Sequence, residues 1–155
     1  MSLSLKILVG TMTGTSELVA EEMLDALEED GHEVEVEPMD NLDASVFAGG
    51  GLFLICTSTY GQGDVPDNAM KLYEDLAASK TDLSSVRYGV FSLGDRTYAD
   101  TFNFGGKKFD EALSKCGAKR VGEVSYHDAS GGTVPEEEGV DWIRAWIAEV
   151  GTVPA

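Results

Sequence analysis

A chain of 155 residues with 43% hydrophobic and 25% charged residues holds enough apolar material for one globular domain spanning 1–155. Acidic residues outnumber basic ones by 28 to 11, and a net charge of −17 repels nucleic acid and anionic membranes while attracting a basic partner protein. No stretch approaches the ~18 consecutive apolar residues of a membrane helix and no secretory pattern opens the chain, so a cytoplasmic protein is expected.

Leu5-Lys6-Ile7-Leu8-Val9 predicts a buried strand ended by Gly10. Glu17 to Asp30 predicts a helix with Leu18, Val19, Met23, Ala26 and Leu27 on its apolar side and acids on the other. Between them lies Gly10-Thr11-Met12-Thr13-Gly14-Thr15-Ser16. A turn from strand to helix that is rich in hydroxyls and glycine suits an anion. The first helical N–H groups lack intrahelical partners, and the helix dipole favours negative charge there. No Lys or Arg occurs between Lys6 and Lys71, so a phosphate on this loop would be met by dipoles and hydroxyls alone. That separates the loop from the Gly-Lys-Ser/Thr motif of nucleotide triphosphatases and from the Cys-plus-Arg loop of thiolate phosphatases. The G-x-G-x-x-G spacing of dinucleotide folds is also missing. A capped helix start that binds nothing is the plain alternative.

Gly31 is placed as a helix stop. Val34 and Val36 alternate with Glu33, Glu35 and Glu37, which predicts a half-exposed edge strand closed by Pro38. Asn41 to Gly50 is a connection, and Gly51 to Cys56 predicts a central, fully apolar strand. Thr57-Ser58-Thr59-Tyr60-Gly61-Gln62-Gly63-Asp64 forms a second small-polar loop. Pro66 then opens a helix with Ala69, Leu72, Tyr73 and Leu76 inward, followed by a polar connection from Ser79 to Ser85. Tyr88 to Leu93 predicts the next apolar strand, running into Gly94-Asp95-Arg96-Thr97-Tyr98-Ala99-Asp100. A helix from Gly106 to Cys116 turns Phe109, Ala112 and Leu113 inward and stops at Gly117. Arg120 to Val124 is assigned a short strand and Tyr126 to Thr133 a loop. Pro135-Glu136-Glu137-Glu138 opens a last helix, with Val140, Ile143, Ile147 and Val150 as its stripe and Trp142 and Trp146 as packing residues. Cys56 and Cys116 are expected to be buried thiols rather than a disulfide, and two His without a His/Cys cluster give zinc no support.

The alternation of strands and helices predicts a doubly wound α/β sandwich with about five strands. Ligands bind such sheets beyond the carboxyl ends of the strands, at the switch point. The first, third and fourth strands each deliver a Gly/Ser/Thr-rich loop to that end. Tyr60 and Tyr98 lie in the second and third loops, where two rings can sandwich a flat heterocycle while the first loop takes a phosphate. Flavin mononucleotide (FMN) fits all three.

These residues carry a resemblance. Thr11-Met12-Thr13-Gly14-Thr15-Ser16 is similar to the phosphate loop of short-chain flavodoxins of the MioC-like type, with Ser16 where most members have Thr. Ser58 through Ala69 resembles the second loop of the FMN domain of diflavin reductases, with Gln62 in place of the usual acid. Leu93-Gly94-Asp95-Arg96-Thr97-Tyr98 with Phe102-Asn103 resembles the third loop, and Asp128 through Glu136-Glu137 to Trp142 the closing pattern. The resemblance covers essentially the whole chain. It implies a flavodoxin-like three-layer sandwich with a five-stranded parallel sheet in the order 2-1-3-4-5, and a non-covalent FMN. Thr11 to Ser16 would hold the phosphate and Thr57 and Ser58 would flank the ribityl chain. Tyr60 and Tyr98 would stack on the ring, and backbone groups around Asp95 and Tyr98 would bond its pyrimidine edge. Thr59, Gln62, Gly63, Leu93, Gly94, Thr97, Phe102 and Asn103 complete the implied set.

The implied activity is one-electron transfer through the flavin semiquinone/hydroquinone couple, carried by a protein that is not itself an enzyme. The Gly61 carbonyl would accept the N5–H created on reduction. The second electron would meet a −17 field. A one-electron couple moves about 59 mV for ~1.4 kcal/mol, so a few kcal/mol of repulsion lowers that step by on the order of 100–200 mV. Arg96 would oppose this if it reached the pyrimidine edge. The implied partners are an NAD(P)H-dependent flavodoxin or ferredoxin reductase and an acceptor enzyme. They would dock through acids such as Glu28-Glu29-Asp30, Asp64 and Asp67, on a monomer that binds neither nucleic acid nor membrane. The alternative is an FMN-dependent NAD(P)H quinone or nitro reductase. A phosphoacceptor receiver domain would need acids where Gly10-Thr11 and Cys56-Thr57 stand.

Overall fold

The fold is described by a computed structural model covering residues 4–10, 15–39, 42, 44–47, 50–58, 67–78, 82–94, 104–122, 125–128 and 135–150. In chain order it runs β1 (Ser4–Gly10), α1 (Thr15–Glu29), β2 (Glu33–Pro38), a 3₁₀ turn (Ala44–Phe47) and β3 (Gly51–Ser58). Then come α2 (Asp67–Ala78), β4 (Val86–Gly94), α3 (Phe104–Lys115), β5 (Lys119–Arg120), β6 (Ser125–Asp128) and α4 (Pro135–Val150). All pairings are parallel, in the order β2-β1-β3-β4-β5, with β6 also beside β4. β3 takes one edge of β4, so β5 and β6 are two segments of one outer position. The sheet therefore has the five positions 2-1-3-4-5 expected from the sequence.

Strand period decides which side each helix covers. Leu8, Phe53, Ile55, Tyr88 and Val90 face one way and pack with Leu72 and Leu76 of α2 and Phe109 and Leu113 of α3. Ile7, Val9, Leu54, Cys56 and Phe91 face the other way and pack with Val19, Met23 and Leu27 of α1 and Ile143, Trp146 and Ile147 of α4. Consecutive residues of β1 and β3 thus serve opposite cores, which is why these strands read as unbroken apolar runs. β2, at the edge, buries Val34 and leaves Glu33 and Glu35 exposed.

Three sequence expectations need correction. Leu18 is not a core residue: it is 55% exposed, because the buried stripe of α1 runs through Val19, Ala20, Met23, Ala26 and Leu27, and Leu18 lies one position off it. Of the strand assigned to Arg120–Val124, β5 is Lys119–Arg120, residues 121 and 122 fall outside it, and 123 and 124 lie outside the described residues. The loop assigned to Tyr126–Thr133 begins with a strand, Ser125–Asp128, held by pairing with Phe91–Gly94 rather than by apolar character of its own.

Two close approaches set the α4 side. A Cβ at Gly89, in the middle of β4, would lie 2.6 Å from the Trp146 indole, so the ring occupies the space a side chain would take. A Cβ at Gly139 would lie 2.7 Å from Val19 and 3.0 Å from Met23, so this glycine lets α4 press against α1. Trp146 stacks on Trp142 at 5.7 Å between centroids, and Trp142 tilts against Phe91 at 5.6 Å. Both cysteines are buried thiols. Burial raises the Cys56 thiol from 9.0 to about 12, because a thiolate in that apolar layer has lost its water.

Replacing Gly89 by Ala overpacks the Trp146 contact and is expected to cost about 1–3 kcal/mol, read as a lower urea midpoint at unchanged slope. Alkali should act through Cys56: from pH 9 the unfolded thiol ionises while the folded one stays protonated until about pH 12. The stability this group contributes is therefore present below pH 9 and lost as pH rises towards 12, at up to ~1.4 kcal/mol per pH unit. Denaturant titrations of wild type and Cys56→Ala across that window should converge as pH rises.

Candidate functional site

Parallel register brings the ends of four strand segments into one row. Gly10 of β1 lies opposite Thr57 of β3, Thr57 opposite Ser92 of β4, and Ser58 opposite Leu93. Leu93 in turn stands opposite His127 of β6, and Gly94 opposite Asp128. Neighbouring strands are about 4.8 Å apart, so the three loops leave the sheet within about 10 Å of one another. β1 and β3 are also where the chain reverses direction across the sheet: from β1 it winds outwards to β2, and from β3 it winds the other way. That is the switch point at which sheets of this kind take ligands.

Of the residues singled out in the sequence, the structure gathers Thr15 and Ser16 at the start of α1, Thr57 and Ser58 at the end of β3, and Leu93 and Gly94 at the end of β4. Thr11, Met12, Thr13, Gly14, Thr59, Tyr60, Gly61, Gln62, Gly63, Asp95, Arg96, Thr97, Tyr98, Phe102 and Asn103 lie outside the described residues. Thr57 and Ser92 are fully buried, directly opposite each other in register, and they are the two polar residues buried among those described. β6 escaped the sequence reading, although it is the segment that flanks the exit of the third loop. Its signal was weak: four residues, Ser125 to Asp128, with no aliphatic member.

The charges near this edge follow from α1. Its amino end, Thr15-Ser16-Glu17, follows the carboxyl end of β1, and the first-turn N–H groups and dipole there favour an anion. Lys6 lies 3.8 Å from both Glu35 and Glu37, Arg120 lies 2.7 Å from Asp110, and Arg144 lies 3.2 Å from Asp30, so these cations answer carboxylates elsewhere in the fold. The outer face of α1 exposes Glu17, Glu21, Glu22, Asp25, Glu28 and Glu29. Such a donor set suits a phosphate monoester held by hydrogen bonds beside a strongly acidic flank. Among the described residues no group of His, Cys, Asp and Glu is arranged to hold a metal ion, and no helix is long and apolar enough to cross a membrane.

Comparison with known proteins agrees with this geometry. The flavodoxin family model matches residues 7–142. Flavodoxin YqcA of Escherichia coli K12 is 41% identical over 140 residues, 90% of this chain and 93% of that protein. The MioC protein of Escherichia coli O157:H7 is 37% identical over 141 residues, 89% of this chain and 92% of its own. Human NADPH–cytochrome P450 reductase is 36% identical over 142 residues, 86% of this chain but 20% of the reductase, as the resemblance to a diflavin reductase implied. Among solved structures, a cysteine-to-alanine mutant of a flavodoxin from Pseudomonas aeruginosa superposes with a TM-score of 0.85 at 32% identity, covering 96% of this chain and 99% of that one. With a family model matching most of its length, relatives of about 40% identity and a solved flavodoxin of the same fold, the chain belongs to the flavodoxin family.

Proposed function

We propose that this chain binds FMN on the carboxyl edge of its sheet and carries electrons one at a time between an NAD(P)H-dependent reductase and an acceptor enzyme. The observation that carries the reading is the row Gly10, Thr57–Ser58, Leu93–Gly94, which starts three Gly/Ser/Thr-rich loops side by side. When bound, the flavin supplies a ring able to take up and release single electrons. In this reading Thr11 to Ser16 and the start of α1 hold the phosphate through backbone N–H groups and hydroxyls. Thr57 and Ser58 would flank the ribityl chain, and Tyr60 and Tyr98 would cover the two faces of the ring and exclude water from it. The Gly61 carbonyl would accept a hydrogen bond from flavin N5–H, and backbone groups of Asp95 and Tyr98 would bond the pyrimidine edge. The acidic face of α1, which runs along the whole helix from Glu17 to Glu29, would attract a basic partner.

Titrating the flavin-free protein with FMN should quench flavin fluorescence with sub-micromolar affinity, and riboflavin should bind more weakly because it lacks the phosphate. Tyr98→Ala should weaken FMN on the order of tenfold, about the worth of one aromatic contact. Equal affinity for FMN and riboflavin would remove the phosphate assignment, and no binding of either would remove the function. Reduction by a basic reductase should slow as salt rises from about 10 to about 300 mM. A rate indifferent to salt would leave the acidic face without a docking role.

A further inference from the structure

The two segments beside β4 disagree in register. β5 places Lys119 opposite Arg87 and Arg120 opposite Tyr88, whereas β6 places Ser125 opposite Phe91. β4 spends Gly89 and Val90 where the outer position spends 121–124, so the pairing slips by two residues. Hydrophobic alternation cannot choose this arrangement. A slip of one residue turns every side chain to the wrong face, but a slip of two leaves the pattern intact. The unslipped pairing, with Ser125 opposite Leu93 and Tyr126 opposite Gly94, meets the same inward and outward pattern.

Something else selects the slip, and two side chains are placed to do it. Trp146 donates its indole N–H to the Val121 carbonyl at 2.9 Å, from the α4 side. Arg120 donates Nε–H to the next carbonyl, Gly122, at 2.9 Å. Asp110 of α3 anchors Arg120 at 2.7 Å and accepts the Tyr88 hydroxyl at 2.6 Å. The Val121 N–H still donates to the Tyr88 carbonyl at 2.8 Å, and Gly122 then turns the chain out of the ladder at φ +71°. Two consecutive carbonyls are thus held by side chains from opposite faces of the sheet. The Val121 bond is buried and the Gly122 bond exposed, and a buried carbonyl left without a donor costs far more than an exposed one, so the indole carries the larger share. Gly89 leaves room for the indole that makes the first of these bonds.

We propose that Trp146 and Arg120 are positioning residues of the flavin site: they lock the two-residue slip and so hold His127 beside Leu93 and Asp128 beside Gly94, at the root of the third loop. This rests on the FMN reading above. A parallel strand rises about 3.3 Å per residue, so losing the slip would carry Asp128 about 7 Å past its place beside β4.

The test uses Trp146→Phe, which keeps an aromatic side chain but removes the N–H together with the indole atoms nearest Gly89, Arg120→Met, and the double variant. Two readouts are needed: cross-strand amide contacts by NMR in the flavin-free protein, and the FMN dissociation constant by fluorescence quenching. Wild type should show Leu93–His127 contacts alone. The double variant should add a Leu93–Ser125 set and bind FMN about tenfold more weakly, with each single variant between. A double variant with only the Leu93–His127 set overturns the lock, whatever its affinity. One that shows both sets but binds FMN as wild type does overturns the link to the flavin. Should the double variant not fold, Trp146→Phe decides by the same two criteria. If wild type itself fails to bind FMN, the functional reading falls and the link to the flavin with it, while the NMR contacts still decide whether these bonds set the register.

Discussion

Burial on both faces is the constraint from which the rest of this molecule follows. Residues 7, 8 and 9 point alternately into two separate cores, and so do residues 52 to 56. A strand with no solvated face has nowhere to display chemistry except its ends. The amino ends receive the chain from connections that add to the core, as Phe47 does before β3 and Leu83 before β4. The carboxyl ends open into segments that must be traversed before each helix begins, and glycine and hydroxyl residues are gathered there. The position of the site is thus a by-product of how the core is made.

An acidic protein proposed to hold a phosphate without a cation looks contradictory, and the geometry of α1 resolves it. The surface acids of α1 sit on its solvent side, while the dipole that meets the anion acts along the axis and within its first turn. Long-range charge and short-range donors therefore address different partners. The field speaks to a macromolecule at a distance, damped beyond a Debye length of about 8 Å at physiological salt, and the donors act within hydrogen-bond reach. Neutral anchoring also spares the site a fixed positive charge that would favour electron-rich forms of whatever it binds.

Much of the fold is legible in the sequence for the same reason that it is stable. Leu5–Val9, Gly51–Cys56 and Tyr88–Leu93 announce themselves because a doubly covered strand has to be apolar throughout, and the helices because one stripe has to be. Gly31 and Gly117 adopt φ of +92° and +93° directly after helices, as stop signals should. The outer strand was not legible. Ser125–Asp128 has no apolar pattern to mark it, and the Val121 carbonyl just before it is bonded by an indole 25 positions further along the chain. Trp146 reads as packing from its spacing, and it does pack, but spacing does not show where its N–H goes. At the site, composition identified the three loops, whereas contacts by individual side chains depend on loop conformations that no local periodicity encodes.

Gly139 gives the fold a temporal order. The tight seat it makes for Val19 and Met23 is furnished by α4, the 16-residue segment that is the last helix of the fold. During synthesis the first helix therefore emerges with part of its greasy side uncovered until α4 has followed it. A ribosome-bound intermediate of this protein would carry α1 early yet stay sticky behind it. The first helix is clad only once the sixteen residues of α4 have been made and seated.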